Sequence, residues 1–186
     1  MILLLRALLL QAARWDEQLR WFGERHRVMA PDLKGFGGSD APEDPAACSV
    51  ESYNGEQQHW IRVEDDLQLL INRRVDQLVG RETSRRAEAV RLARQLMGAN
   101  PPAGWIGGLE ALTNRPDFGP DLDKIDVPTL VVRGAADELV PRETADAMVV
   151  QIPDVELVTV ADAGHLVSLE QPEAVSRAVE GLLERI

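Results

Sequence analysis

Short apolar runs that alternate with stretches of helical period open and close this 186-residue chain. Ile2–Leu5 is the first such run, and Trp15, Leu19 and Phe22 then recur at the spacing of an amphipathic helix. His26–Asp32 reads as a second short strand, closed by Pro31 and by the turn Gly35-Phe36-Gly37-Gly38. Toward the other end, Pro128-Thr-Leu-Val-Val-Arg-Gly134 is an apolar run that ends at a glycine. A helix around Arg142–Val150 leads from it to a strand at Val155–Val160. Pro172 opens a closing helix with Val175, Val179 and Leu182 on one face. Strands joined through helices lie parallel and are covered on their faces, which is why they read as apolar runs rather than as alternation. The pattern predicts an α/β fold with a mainly parallel sheet and flanking helices.

Residues 41–60, with Pro42, Pro45 and Gly55 among polar side chains, show no period and read as connection. From Arg62 the pattern is helical, with Val63, Leu67, Leu70, Ile71 and Leu78 on one face and Gly80 as the stop. A second helix is expected over Ser84–Met97, and a third is marked by Trp105, Ile106, Leu109 and Leu112. Residues 62–118 thus form a helical, cap-like insertion in one domain spanning 1–186, the size at which a single core suffices.

Hydrophobic residues make up 45% and charged residues 27%, the mixture of a globular protein. The formal net charge of -11 repels phosphate backbones and anionic lipid surfaces, which argues against nucleic-acid and membrane partners. Eight arginines fall between Arg62 and Arg94, but Glu64, Asp65, Asp66, Glu82 and Glu88 interrupt them, as on a solvated helix face. The lone Cys48 cannot form an internal disulfide, and Arg6 breaks the apolar start that imitates a signal peptide; both favour the cytoplasm. No run approaches the ~18 consecutive apolar residues of a membrane span. Three scattered histidines do not make a metal site, and Gly35–Gly38 lacks dinucleotide-loop spacing, so it reads as a tight turn and no cofactor is expected. One or two of the four tryptophans belong to the core.

Ligand sites in open α/β sheets gather beyond the carboxyl ends of the strands. Asp137 follows the strand ending at Arg133, and His165 follows the strand ending at Val160. Adjacent parallel strands bring two such loops side by side. A carboxylate on one imidazole nitrogen fixes the tautomer and stabilises the imidazolium, leaving the other nitrogen to take a proton. Each residue also has an ordinary reading, a turn or N-cap aspartate and a loop histidine; the pair, each at a strand's end, favours the chemical one.

Three segments carry a resemblance. Pro128-Thr-Leu-Val-Val-Arg-Gly-Ala-Ala-Asp137-Glu-Leu-Val-Pro141 resembles the acid strand and turn of the α/β-hydrolase superfamily, and Ala163-Gly-His165-Leu-Val-Ser-Leu-Glu-Gln-Pro172 resembles its histidine loop. Arg27-Val-Met-Ala-Pro-Asp-Leu-Lys-Gly-Phe-Gly-Gly-Ser39-Asp40 is similar to an early strand and turn of the same fold. The nearest group is the esterases and lactonases related to 3-oxoadipate enol-lactonase. The resemblance implies a Ser-His-Asp hydrolase in which Asp137 is the acid and His165 the base, acting on a small-molecule ester or lactone.

The departures from that pattern are equally specific. The family places its serine in a Gly-x-Ser-x-Gly elbow ahead of the acid, which here means between Asp40 and Leu130. Ser49 lies between Ala47 and Glu51, Ser52 between Val50 and Asn54, and Ser84 between Glu82 and Arg86; none fits, and Cys48 follows no strand-like run. The central strand, elbow and nucleophile helix are therefore expected to be missing together, as is the family's amino-terminal hairpin. Arg6-Ala7 stands where the family has His-Gly, so the backbone N–H of Leu8 is the candidate oxyanion donor. The expectation is a hydrolase-family chain that is catalytically incomplete. One rival keeps activity through Ser39, Ser49 or Cys48. Another is a non-catalytic binding protein whose exposed strand edges recruit a partner or, as a homo-oligomer, its own copy.

Overall fold

The computed structural model describes residues 2–3, 10–32, 36–39, 67–113 and 116–186. The segment 41–60, where the missing strand and elbow are expected, and the positions of Leu8, Cys48, Ser49 and Ser52 lie outside the described residues. The chain forms two compact units. One comprises Met1–Arg74 with Arg91–Pro116, the other Val75–Val90 with Asp117–Ile186.

In the first unit, strand β1 (Ile2–Leu3) runs parallel to β2 (Val28–Met29), with Ile2 opposite Val28. A 3-10 turn at Ala12–Trp15 leads into helix α1 (Asp16–Gly23), whose first turn carries Asp16 and Glu17 against the positive end of the helix. The helical period holds, but the deepest side of α1 is Gln18 and Phe22, one turn apart, while Trp15 and Leu19 are half-buried.

Strand β2 is shorter than the run His26–Asp32 suggests, because Asp32 is drawn into the following turn. Its carboxylate accepts the Ala12 N–H at 2.6 Å and the Gly38 N–H at 3.0 Å, and its carbonyl accepts the Ser39 hydroxyl at 2.7 Å. Gly37 adopts φ 54°, and a Cβ there would fall 2.2 Å from an Asp32 carboxylate oxygen. The turn thus closes on the protein's own negative charge, which suits a tight turn and not an anion site. Buried Asn100 adds a second tie, its Oδ1 accepting from Gln11 Nε2 at 3.2 Å and from the Gly37 N–H at 3.4 Å.

Among the described residues of 62–118 there are three helices: α2 (Leu67–Leu78), α3 (Arg86–Gly98) and α4 (Pro102–Thr113). Gly80 and the Pro101-Pro102 pair punctuate them as breakers should. Trp105 is a core residue of the first unit, and its indole N–H donates to the Met97 carbonyl at 3.2 Å. Arg85 pairs with Glu88 and Arg86 with Asp76, in keeping with a solvated arginine-bearing face.

In the second unit, β3 (Thr129–Gly134) and β4 (Val155–Val160) pair in parallel over six residues, from Thr129 opposite Val155 to Gly134 opposite Val160. Helix α5 (Arg142–Gln151) packs on β4. Beyond β4 come a short helix α6 (Val167–Glu170) and then α7 (Pro172–Leu183), which packs on β3 and β4. Pro172 takes the first helical position, where its missing N–H costs no bond. Thr129–Arg133 are half-buried rather than buried, because among the described residues β3 has β4 as its one strand neighbour. Among the described residues no helix is long and apolar enough to cross a membrane.

A Cβ at Gly181, near the end of α7, would meet nothing within 4 Å. Gly181→Ala removes backbone freedom from the unfolded chain without a clash, so it is expected to stabilise the protein by about 0.5–1 kcal/mol, read as a raised urea midpoint.

Candidate active site

Asp137 and His165 stand just beyond the carboxyl ends of the paired strands β3 and β4. Beyond Gly134 the chain turns sharply. The Ala135 N–H donates to the Val160 carbonyl at 2.9 Å, and the Ala136 N–H donates to the Ala163 carbonyl at 2.8 Å. The two loops are therefore laced together by backbone bonds before either functional side chain is placed. Asp162 begins the histidine loop in the left-handed conformation, φ 58°, which aspartate tolerates better than most residues.

Asp137 uses its two carboxylate oxygens differently. Oδ1 accepts the N–H groups of Leu139 at 2.9 Å and Val140 at 3.1 Å, both in its own turn, which orients the carboxylate. Oδ2 faces Nδ1 of His165 at 3.0 Å. The Asp137 side chain is only 7% exposed and the His165 side chain 27%, so the carboxylate is shielded while the imidazole reaches solvent. The histidine backbone is fixed as well: the N–H groups of His165 and Leu166 donate to the Leu78 carbonyl at 2.9 and 3.2 Å. With Nδ1 committed to Asp137, no described residue hydrogen-bonds Nε2, the nitrogen that would exchange a proton with a reactant.

Close backbone approach makes this arrangement possible. A Cβ on Gly134 would lie 2.1 Å from the Gly164 carbonyl oxygen and 2.3 Å from that of Ala163. A Cβ on Gly164 would lie 2.3 Å from the Gly80 nitrogen. The end of β3, the histidine loop and the turn after α2 are thus stacked backbone on backbone, with space for hydrogen atoms alone at these positions.

Glu170 carries no motif or period by which its place could be read from the sequence. It lies at the end of α6, is 0% exposed, and accepts from three donors. Oε2 takes the Gly80 N–H and the Thr83 hydroxyl, each at 3.0 Å, and Oε1 takes the Gly164 N–H at 2.9 Å. A four-residue helix is too short for its period to be read. The only available signal was a charged residue in the run Leu166-Val-Ser-Leu-Glu170, which is buried throughout. Nearer the surface, the Asp162 carboxylate accepts the Ser84 N–H at 2.9 Å, the Ser84 hydroxyl, and the Gln171 side-chain amide at 3.0 Å.

Of the hydroxyls considered as nucleophiles, Ser39 donates to the Asp32 carbonyl and Ser84 to the Asp162 carboxylate. Neither donates to His165. Among the described residues no group of three or more His, Cys, Asp and Glu side chains is placed to hold a metal ion.

Comparison with known proteins gives this geometry a context. A model of the alpha/beta hydrolase family matches residues 58–178, well over half of the chain. The chain belongs to the α/β-hydrolase family. A curated relative, the pimeloyl-[acyl-carrier protein] methyl ester esterase of Aromatoleum aromaticum, is 32% identical over 82 residues. That match covers 44% of this chain and 32% of the relative, so only about a third of the relative's length has a counterpart. Among solved structures, a thermophilic esterase from Thermogutta terrifontis superposes with a TM-score of 0.84 at 24% identity, covering 99% of this chain and 89% of that one. The enol-lactonase from Burkholderia xenovorans gives a TM-score of 0.81 at 17% identity, covering 98% and 90%. The fold is the α/β-hydrolase fold, in a helix-rich form with small parallel sheets.

Gly134→Ala forces a methyl group into two backbone carbonyls that have no rotamer to escape into. It is expected to destabilise the protein by about 1–3 kcal/mol or more, measured by urea denaturation, the reverse of the gain expected at Gly181.

Proposed function

We propose that this α/β-hydrolase chain carries the acid–base half of a carboxylic ester or lactone hydrolase, with Asp137 as the acid and His165 as the base, and that it is catalytically incomplete. The observation that carries the first part is the contact of Asp137 Oδ2 with His165 Nδ1 at 3.0 Å, made while Oδ1 is held by two amides of its own turn. Such an acid orients the ring, selects the tautomer with the proton on Nδ1, and stabilises the imidazolium that forms when Nε2 takes a proton. The ester or lactone class is supported by the proteins the chain is similar to, a methyl ester esterase, an esterase and an enol-lactonase.

Incompleteness rests on the sequence. No serine between Asp40 and Leu130 has the small neighbours that a nucleophile elbow requires. Without that serine, His165 has no hydroxyl to activate for covalent acyl transfer, and what it can offer is general-base assistance to water. Loss of a triad nucleophile lowers kcat by roughly 10^6 in a well-studied serine hydrolase. Turnover of a p-nitrophenyl ester is therefore expected to be roughly a million-fold slower than that of a hydrolase with an intact triad.

The test is the intact mass of native protein after incubation with a fluorophosphonate, with a denatured sample as control and ester turnover measured in parallel. The expected result is no adduct specific to the native protein. An adduct that maps to Ser39, Ser49 or Cys48 would overturn the incompleteness and name the nucleophile. Full ester turnover unchanged by His165→Ala would overturn the acid–base assignment.

A further inference from the structure

Glu170 presents a physical puzzle. Its carboxylate is fully buried, and among the described residues no cation faces it; its donors are two backbone N–H groups and one hydroxyl. A buried charge without a counter-charge is costly even when well hydrogen-bonded, and an apolar side chain would fill the same volume at lower cost. What an apolar side chain could not do is hold two amides. One of these amides, on Gly80, is 90 residues away in sequence and opens the turn after α2; the other, on Gly164, is 6 residues away and directly precedes His165.

We propose that Glu170 is the positioning residue of the Asp137–His165 pair. Its carboxylate bridges the Gly80–Thr83 turn to Gly164 and so sets where the His165 ring stands against Asp137. The inference rests on reading those two residues as an acid–base pair. The same turn holds the histidine loop at two further places. The Leu78 carbonyl, just ahead of it, accepts the N–H groups of His165 and Leu166, and a Cβ on Gly80 would lie 3.1 Å from the Gly164 nitrogen and 3.2 Å from Glu170 Oε2. Each carboxylate oxygen has its own donors, so the bridge needs acceptors at both ends. Glutamine keeps an acceptor at one end only: whichever way its amide is turned, an NH2 group meets the N–H of Gly80 or that of Gly164. A shift of the loop by a fraction of an ångström then moves the imidazole out of line with Asp137 Oδ2, and misplacement of reacting groups on this scale is costly to rate.

The readout is the Nδ1–H proton of His165 in the NMR spectrum. A hydrogen bond to a shielded carboxylate moves it downfield and slows its exchange. With only three histidines in the chain, comparison with His165→Gln assigns it. Wild-type protein is expected to show the resonance, and Glu170→Gln to lose it while the far-UV circular dichroism remains that of the folded protein. Thr83→Val, which removes one donor and leaves the carboxylate, is expected to speed exchange of this proton by about fivefold, the equivalent of one net hydrogen bond. Ser84→Ala, altering only the outer Asp162 arm, is expected to leave it unchanged.

A folded Glu170→Gln protein with the wild-type resonance and exchange rate would overturn the assignment and leave Glu170 a packing residue. Should Glu170→Gln fail to fold, a Thr83→Val protein identical to wild type in exchange would do the same. Absence of the resonance from wild-type protein would instead overturn the acid–base pair itself and this inference with it. The two failures are therefore distinguishable, and neither depends on turnover.

Discussion

The second unit depends on a contact between three stretches of bare backbone: the end of β3 at Gly134, the histidine loop at Ala163–Gly164, and the turn after α2 at Gly80. Because no side chain intervenes, the amides and carbonyls of one stretch reach those of the next, and the bonds from Ala136 to Ala163 and from His165 to Leu78 become possible. Parallel pairing of β3 with β4 brings the two loops to the same end of the sheet, and the glycine contact fixes their spacing. Only then does a 3.0 Å contact between Asp137 and His165 follow, with each side chain already restrained by its own turn.

Two carboxylates tie this contact to its surroundings from opposite sides. Glu170 does so from the interior and Asp162 from the surface, both reaching the segment Gly80–Ser84. Their local environments differ in a way that matters for energetics. Exposed Asp162 acts on a wetted turn, where a hydrogen bond adds little, whereas each bond to Glu170 forms where the alternative is an unsatisfied buried group. Salt bridges such as Arg81–Glu138, with side chains 75% and 58% exposed, add little to either arm.

The strands and long helices were legible because their apolar spacing is a consequence of burial. Val155–Val160 matches the observed strand, and Pro172 and Gly80 mark helix ends as their backbone chemistry requires. Asp137 and His165 were legible as a pair because each stands one short turn beyond a strand. The reading failed where length or context removed the signal. His26–Asp32 shrank to Val28–Met29 because Asp32 is worth more to the turn, through Ala12 and Gly38, than to the strand. Helix α6 has a single turn, so Glu170 carried no period, and its role comes from donors that are distant in sequence and visible only in three dimensions. Gly134 was read as the end of a strand, although what it provides is room for a neighbouring carbonyl.

The apparatus that holds the histidine is also the packing of its own unit, and this bears on how such a chain changes over generations. Substitutions at Gly134 or Gly164 damage folding before they touch chemistry, so selection for a folded product alone is enough to keep them. An elbow serine has no comparable protection, since its strained turn adds nothing to stability. In a lineage released from its reaction, the nucleophile is therefore the part free to drift, while the aspartate–histidine geometry persists as a by-product of stability. A well-formed pair is for that reason a record of ancestry, kept by the same close backbone packing that keeps its unit folded.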